Sequence, residues 1–100
     1  MQVYRTDPEL FIQKASILKA LAHPQRLCIM QKLCQKDRIT VTDMQECLGE
    51  AQPTVSQHLS KLKAARIIIG KREGTNIYYS MYDEEMKRIV KGIIDEIFSK

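Results

Sequence analysis

The chain has 100 residues, 44% of them hydrophobic and 28% charged, with a formal charge of +4, which suits one ordinary globular core and leaves no room for a second domain. No run approaches the roughly eighteen apolar residues of a membrane span, and the N-terminus lacks an apolar segment of signal-peptide length. Three cysteines are an odd number that fits reduced thiols better than a disulfide framework, so the expected setting is the cytoplasm.

Asp7-Pro8 reads as an N-cap and first helical position, and a helix over about 7–22 is apolar at Phe11, Ile12, Ala15, Leu18 and Leu21. A second helix starts at Pro24, with His23 ahead of it as a turn or cap residue. It carries Cys28 and Cys34, which point roughly 120° apart on a helix and therefore cannot pair locally. Cys34, and Cys47 further on, fall on or near apolar stripes and are expected as small core residues, the common fate of a free thiol. Cys28, next to Leu27, stays open.

Thr42-Asp43-Met44-Gln45 has the Thr-x-x-Gln form of a capping box, followed by an apolar stripe of Met44, Cys47 and Leu48 and a stop at Gly49. After a turn of about three residues comes Gln52-Pro53-Thr54-Val55-Ser56-Gln57-His58-Leu59-Ser60-Lys61-Leu62. Pro53 suits the first helical position, and Val55, Leu59 and Leu62 form an i, i+4, i+7 stripe. At about 100° per residue, Thr54, Gln57, Ser60 and Lys61 lie on the opposite side. That outward face carries amides, hydroxyls and a cation, groups that match base edges and phosphates. Two short helices joined so tightly, the second with an exposed polar face, form a helix-turn-helix whose second helix enters the major groove. His58 sits at the boundary of the apolar face, where it either touches a phosphate or packs inward.

Ile67–Arg72 and Asn76–Ser80 are β-branched or aromatic runs around Glu73-Gly74-Thr75, which predicts a strand, a tight turn and a strand. This hairpin is a wing, with Lys71 and Arg72 placed to follow phosphates or enter a minor groove. Asp83 caps a last helix to about residue 99, apolar at Met86, Ile89, Val90, Ile93, Ile94, Ile97 and Phe98. The central helices already supply a core, so the terminal helices, about 7–22 and 83–99, are expected to pack partly against a second copy.

Charge separates a nucleic-acid surface from a merely solvated one. Residues 51–80 hold Lys61, Lys63, Arg66, Lys71 and Arg72 against Glu73 alone, an excess of four, while the other seventy residues carry eleven charges of each sign. The whole positive excess lies on the second helix of the pair and the wing, where a duplex would need it.

The runs Leu18-Lys19-Ala20-Leu21-Ala22-His23-Pro24-Gln25-Arg26-Leu27, Thr54-Val55-Ser56-Gln57-His58-Leu59-Ser60-Lys61-Leu62 and Arg72-Glu73-Gly74-Thr75-Asn76-Ile77-Tyr78-Tyr79-Ser80 resemble, in combination and order, the ArsR/SmtB family of bacterial winged-helix repressors. The resemblance implies a homodimer that binds an imperfect inverted repeat and is released by an inducer. It also implies where an inducer would act. Soft-metal sensors of the family carry a Cys-x-Cys pair where this chain has Thr40 and Thr42, and their last-helix site uses an Asp-x-His followed by a more distant His and Glu, where it has Asp83-Glu84-Glu85, Glu96 and Ser99 and lacks both histidines. Without thiolate or imidazole those sets do not make a tetrahedral zinc site. Sulfide- and oxidant-responsive members pair a thiol at the position of Gln31 with one on the last helix, and this chain has neither.

The resulting expectation is a mainly α protein of about five helices with a two-stranded β wing, a homodimeric winged helix-turn-helix. It acts as a DNA-binding transcriptional regulator, a repressor on a double-stranded operator, with no metal or other cofactor, no membrane partner and an unidentified inducer. Thr54, Ser56 and Gln57 read bases, joined by His58 and Ser60. Lys61, Lys63, Lys71 and Arg72 contact phosphates, as does Gln52 near the helix start. Two alternatives stay open: a redox-responsive regulator using Cys28, Cys34 or Cys47, and a winged helix used as a protein-interaction module. No phosphate loop, metal box or nucleophile motif supports an enzyme.

Overall fold

A computed structural model describes residues 3–99. In chain order its elements are helices α1 (Pro8–Leu21), α2 (Pro24–Gln35), α3 (Val41–Leu48) and α4 (Gln52–Ala64), strands β1 (Ile68–Glu73) and β2 (Asn76–Met81), and helix α5 (Glu84–Phe98). Every helix but α4 starts where a side-chain acceptor is available to its first N–H groups. Asp7 accepts from Leu10 N, and His23 Nδ1 accepts from Gln25 N at 3.1 Å, so His23 is a cap residue. Asp83 accepts from Met86 N at 2.7 Å.

The box that opens α3 lies two residues earlier than the Thr42–Gln45 pattern predicts. Thr40 Oγ1 accepts from Asp43 N, and Asp43 Oδ2 accepts from Thr40 N at 2.9 Å. An ionised carboxylate is the stronger acceptor for the N-cap N–H and suits the positive end of the helix, so Thr40 with Asp43 outcompetes Thr42 with Gln45. That bond, first among several contributions, holds the Asp43 carboxyl below its ordinary range. At the other end Gly49 takes φ +66, the left-handed conformation that closes the helix. Residues 49–51 then form the expected three-residue turn, and Pro53 occupies the second position of α4 rather than the first, where its missing N–H is equally harmless.

The core gathers around α2 and α4. Ile29, Met30 and Leu33 of α2, Met44 of α3, and Val55, Leu59 and Leu62 of α4 are all buried. The end of α4 turns through Arg66 at φ +58, with Arg66 N donating to Lys63 O and Ile67 N to Leu62 O, both at 3.0 Å. This paired closure carries the chain directly into β1 with Ile67 and Ile68 in the core.

β1 and β2 pair antiparallel from Ile68 opposite Met81 to Glu73 opposite Asn76. Gly74 takes φ +64 at the first of the two loop positions, as a two-residue hairpin requires. On the free edge of β2, Ile39 and Tyr79 exchange both backbone hydrogen bonds at 2.9 and 2.7 Å. The wing is thereby anchored to the loop between α2 and α3.

The terminal helices divide their apolar residues between two directions. On α1 the inward side is Ile17, Ala20 and Leu21. Of the predicted stripe only Leu21 is buried, while Phe11, Ile12 and Leu18 are 38–60% exposed. On α5, Val90 and Ile94 enter the core, whereas Ile89, Ile97 and Phe98 remain exposed. No helix among the described residues is long and apolar enough to cross a membrane.

Leu59 is 1% exposed at the centre of the α4 stripe. Leu59→Ala is expected to lower unfolding free energy by about 2–5 kcal/mol in a denaturant titration, through lost apolar transfer and a residual cavity; a loss below about 1 kcal/mol would contradict this placement of the core.

Candidate nucleic-acid interface

Burial of Val55, Leu59 and Leu62 decides which way the rest of α4 points. Gln52, Gln57, Ser60, Lys61 and Lys63 are exposed, and Thr54 and Ser56 are half-buried at the flanks. Gln52 Nε2 donates to Ser56 Oγ at 2.8 Å, so the Ser56 hydroxyl is oriented yet keeps its own proton to donate. Thr54, Gln57, Ser60 and Lys61 therefore share one side of the helix, as the periodicity predicts.

Beside this face stands the wing, with Lys71 and Arg72 exposed on β1. Its one acid, Glu73, is engaged elsewhere. Arg38 Nη1 donates to Glu73 Oε2 at 2.8 Å while the same guanidinium lies 4.0 Å from the centre of the Tyr78 ring. Among the described residues none of Lys61, Lys63, Lys71 and Arg72 forms an ion pair with a carboxylate. The positive charge of the helix and wing is thus available to an outside anion. Sequence reasoning did not single out Arg38, whose partner lies thirty-five positions away.

His58 leaves this surface, which corrects its inclusion among the contact residues. Its side chain is buried, with 8% exposure, and its Nε2 lies 2.9 Å from Gln25 Oε1. Gln25 Nε2 in turn donates to Glu50 Oε2 at 2.8 Å. The His23 ring lies 4.5 Å from that of His58, centre to centre. Lying 60° from the stripe centre, His58 is carried toward α2 rather than toward solvent. Nδ1 of His58 is buried without a hydrogen-bond partner among the described residues. Burial, and then the charges of His23 and Arg26, lower the His58 pKa from its ordinary 6.5, with Lys61 acting the same way and Glu50 opposing them.

The cysteines are free and differ in setting. Cys34 packs at the edge of the core, as expected, and burial raises its thiol pKa despite the nearby Lys91 and Lys87. A thiol held protonated is a poor nucleophile at neutral pH. Cys28 is half-buried. Cys47 is exposed rather than in the core, because Val41, Met44 and Leu48 make up the inward side of the short α3 and leave Cys47 on its flank. Two of the positions at which the resemblance places metal ligands serve as helix caps here: Thr40 for α3 and Asp83 for α5.

Two helices joined by a three-residue turn, the second with an exposed polar face beside a cationic hairpin, define the winged helix-turn-helix class of DNA-binding regulators. Within it, the chain belongs to the arsR family of bacterial regulatory proteins, whose family model matches residues 23–69. It is 36% identical over 89 residues to an uncharacterized HTH-type transcriptional regulator of Methanocaldococcus jannaschii, covering 89% of this chain and 99% of the relative. It is also 36% identical over 95 residues to the arsenical resistance operon repressor of Bacillus subtilis, covering 95% and 90% of the two chains. In structure it is similar to the homodimeric winged helix-turn-helix DNA-binding domain of a possible ArsR-family regulator from Mycobacterium bovis, with TM-score 0.81, 32% identity, and coverage of 92% of this chain and 83% of that one. The protein is therefore a DNA-binding transcriptional regulator.

Acidification tests the inward placement of His58. A folded-state pKa below that of the unfolded chain means that the neutral imidazole contributes stability above about pH 6.5, and that this contribution is lost as pH falls through the folded-state value. The difference in thermal midpoint between wild type and His58→Gln is expected to shrink as pH is lowered from about 8 to about 5. A difference that stays constant across that range would place His58 in solvent.

Proposed function

We propose that the protein is a cytoplasmic homodimeric repressor that occupies an inverted-repeat operator and blocks access of the polymerase. The observation that carries this reading is the outward face of α4, with its amides and hydroxyls, flanked by unpaired cations on the helix and the wing. Thr54, Ser56 and Gln57, with Ser60, supply base-edge contacts, since an amide can donate to and accept from adenine at once and a hydroxyl does either. Lys61, Lys63, Lys71 and Arg72 supply phosphate contacts that position the helix without conveying sequence, and Gln52 adds one near the helix start.

The two-fold arrangement follows from the apolar residues that the single chain leaves uncovered. Phe11, Ile12 and Leu18 of α1 and Ile89, Ile97 and Phe98 of α5 are all at least 38% exposed. A second copy covers both helices at once and holds two α4 helices about 34 Å apart, the spacing of successive major grooves on one side of a duplex. Repression accords with the named role of the Bacillus subtilis relative.

Equilibrium sedimentation at micromolar concentration is expected to show a dimer, and Leu18→Glu, placing a charge at a position 60% exposed in the single chain, is expected to shift it to monomer; a monomeric wild type would contradict the interface. Gln57→Ala should cost about 1–3 kcal/mol of operator binding and relax discrimination at one base pair, whereas Lys71→Ala should weaken all duplexes alike and reduce the salt slope by about one unit. Operator preference untouched by the first change, or a loss confined to the operator in the second, would reassign those residues.

A further inference from the structure

Apolar packing settles which side of α4 faces the core but leaves the finer rotation of the helix open. Val55, Leu59 and Leu62 make non-directional contacts, and the N-cap Ala51 offers no side-chain acceptor to the first turn. A directional set of hydrogen bonds joins the same helix to the first turn of α2. The Glu50 carboxylate can only accept, so the Gln25 amide must present its NH2 to Glu50, at 2.8 Å, and its oxygen to His58. An amide oxygen also only accepts. The imidazole proton therefore resides on Nε2 of His58, 2.9 Å from Gln25 Oε1, and Nδ1 is left as the buried bare nitrogen. The backbone of Gln25 is itself held, because its N–H donates to Nδ1 of His23. The chain of bonds runs from the turn before α4, through α2, to the middle of α4.

We propose that Gln25 and Glu50 are positioning residues for DNA reading: Glu50 sets the amide orientation of Gln25, Gln25 sets the proton position and pose of His58, and through His58 the rotation at which α4 presents Gln57 and Ser60. The assignment rests on the proposed reading of α4 as the base-contacting helix. None of the three side chains touches the duplex in this arrangement. Their effect is on how the contacting face is aimed, so it belongs to discrimination between sequences.

The test uses the full chain and two readouts. Without DNA, the nitrogen-15 shifts of the His58 ring at neutral pH report which nitrogen carries the proton. With DNA, the ratio of affinities is measured for a duplex selected by the wild type from a randomised pool and for random duplex. Wild type is expected to hold the proton on Nε2. Gln25→Leu is expected to mix the two proton positions and to lower the affinity ratio about threefold to tenfold, the worth of one buried hydrogen bond. Glu50→Gln, at a half-buried turn position, frees the amide to flip and is expected to move both readouts the same way; it decides the matter if Gln25→Leu does not fold. A wild-type proton on Nδ1, or an affinity ratio unchanged in the folded variants, overturns the proposal. A wild type that prefers no duplex sequence overturns the DNA reading itself, while the proton position still shows whether the bonds exist.

Discussion

The structure turns on the burial of one side of α4. Val55, Leu59 and Leu62 are withdrawn from water against α2 and α3, each contributing about 1.5–3 kcal/mol relative to an exposed side chain. A helix so held cannot turn its polar residues inward, where their hydrogen-bonding groups would go unmet. Presentation of Gln57, Ser60 and Lys61 to an outside partner is thus the other half of core formation. The helix-turn-helix angle is set at the same time, because Met44 of α3 and Ile29, Met30 and Leu33 of α2 close on the same stripe.

The wing depends on a second set of ties, mostly polar. Arg38 meets Glu73 and lies over Tyr78, while Ile39 pairs with Tyr79 through the backbone, so two consecutive residues of the α2–α3 loop hold the hairpin at two points. An exposed ion pair of this kind contributes little to stability. Its consequence is electrostatic: the only acid of the helix and wing is offset by a cation from outside that segment, and Lys71 and Arg72 face outward without local competition.

Features encoded over a few residues were legible in the sequence. Helical spacing located the buried and exposed sides of α4, β-branched runs around Glu73-Gly74-Thr75 located both strands of the hairpin, and Asp7-Pro8, His23-Pro24 and Asp83 marked three helix starts. What escaped depends on partners distant along the chain or on competition between near-equal local choices. Thr40 with Asp43 and Thr42 with Gln45 are both plausible caps, and only the stronger acceptor distinguishes them. On α1, apolar residues occur almost all round, so periodicity could not tell Ile17 and Ala20, which face the core, from Phe11 and Leu18, which do not. Cys47 lies on a flank that an eight-residue helix has too little length to define. The inward turn of His58 needs Gln25, thirty-three positions away, and Gln25 in turn needs Glu50.

A cationic, amide-rich helix face, a wing and a two-fold partner together form one surface, which is expected to distinguish one duplex sequence from another. The most direct measurement is repeated selection by the purified chain from randomised duplexes against bulk competitor, followed by titration of the winners in rising salt. Enrichment of an inverted repeat with half-sites about one helical turn apart, bound with steep salt dependence, is the predicted result. Recovery of no sequence above the competitor at low ionic strength would contradict it.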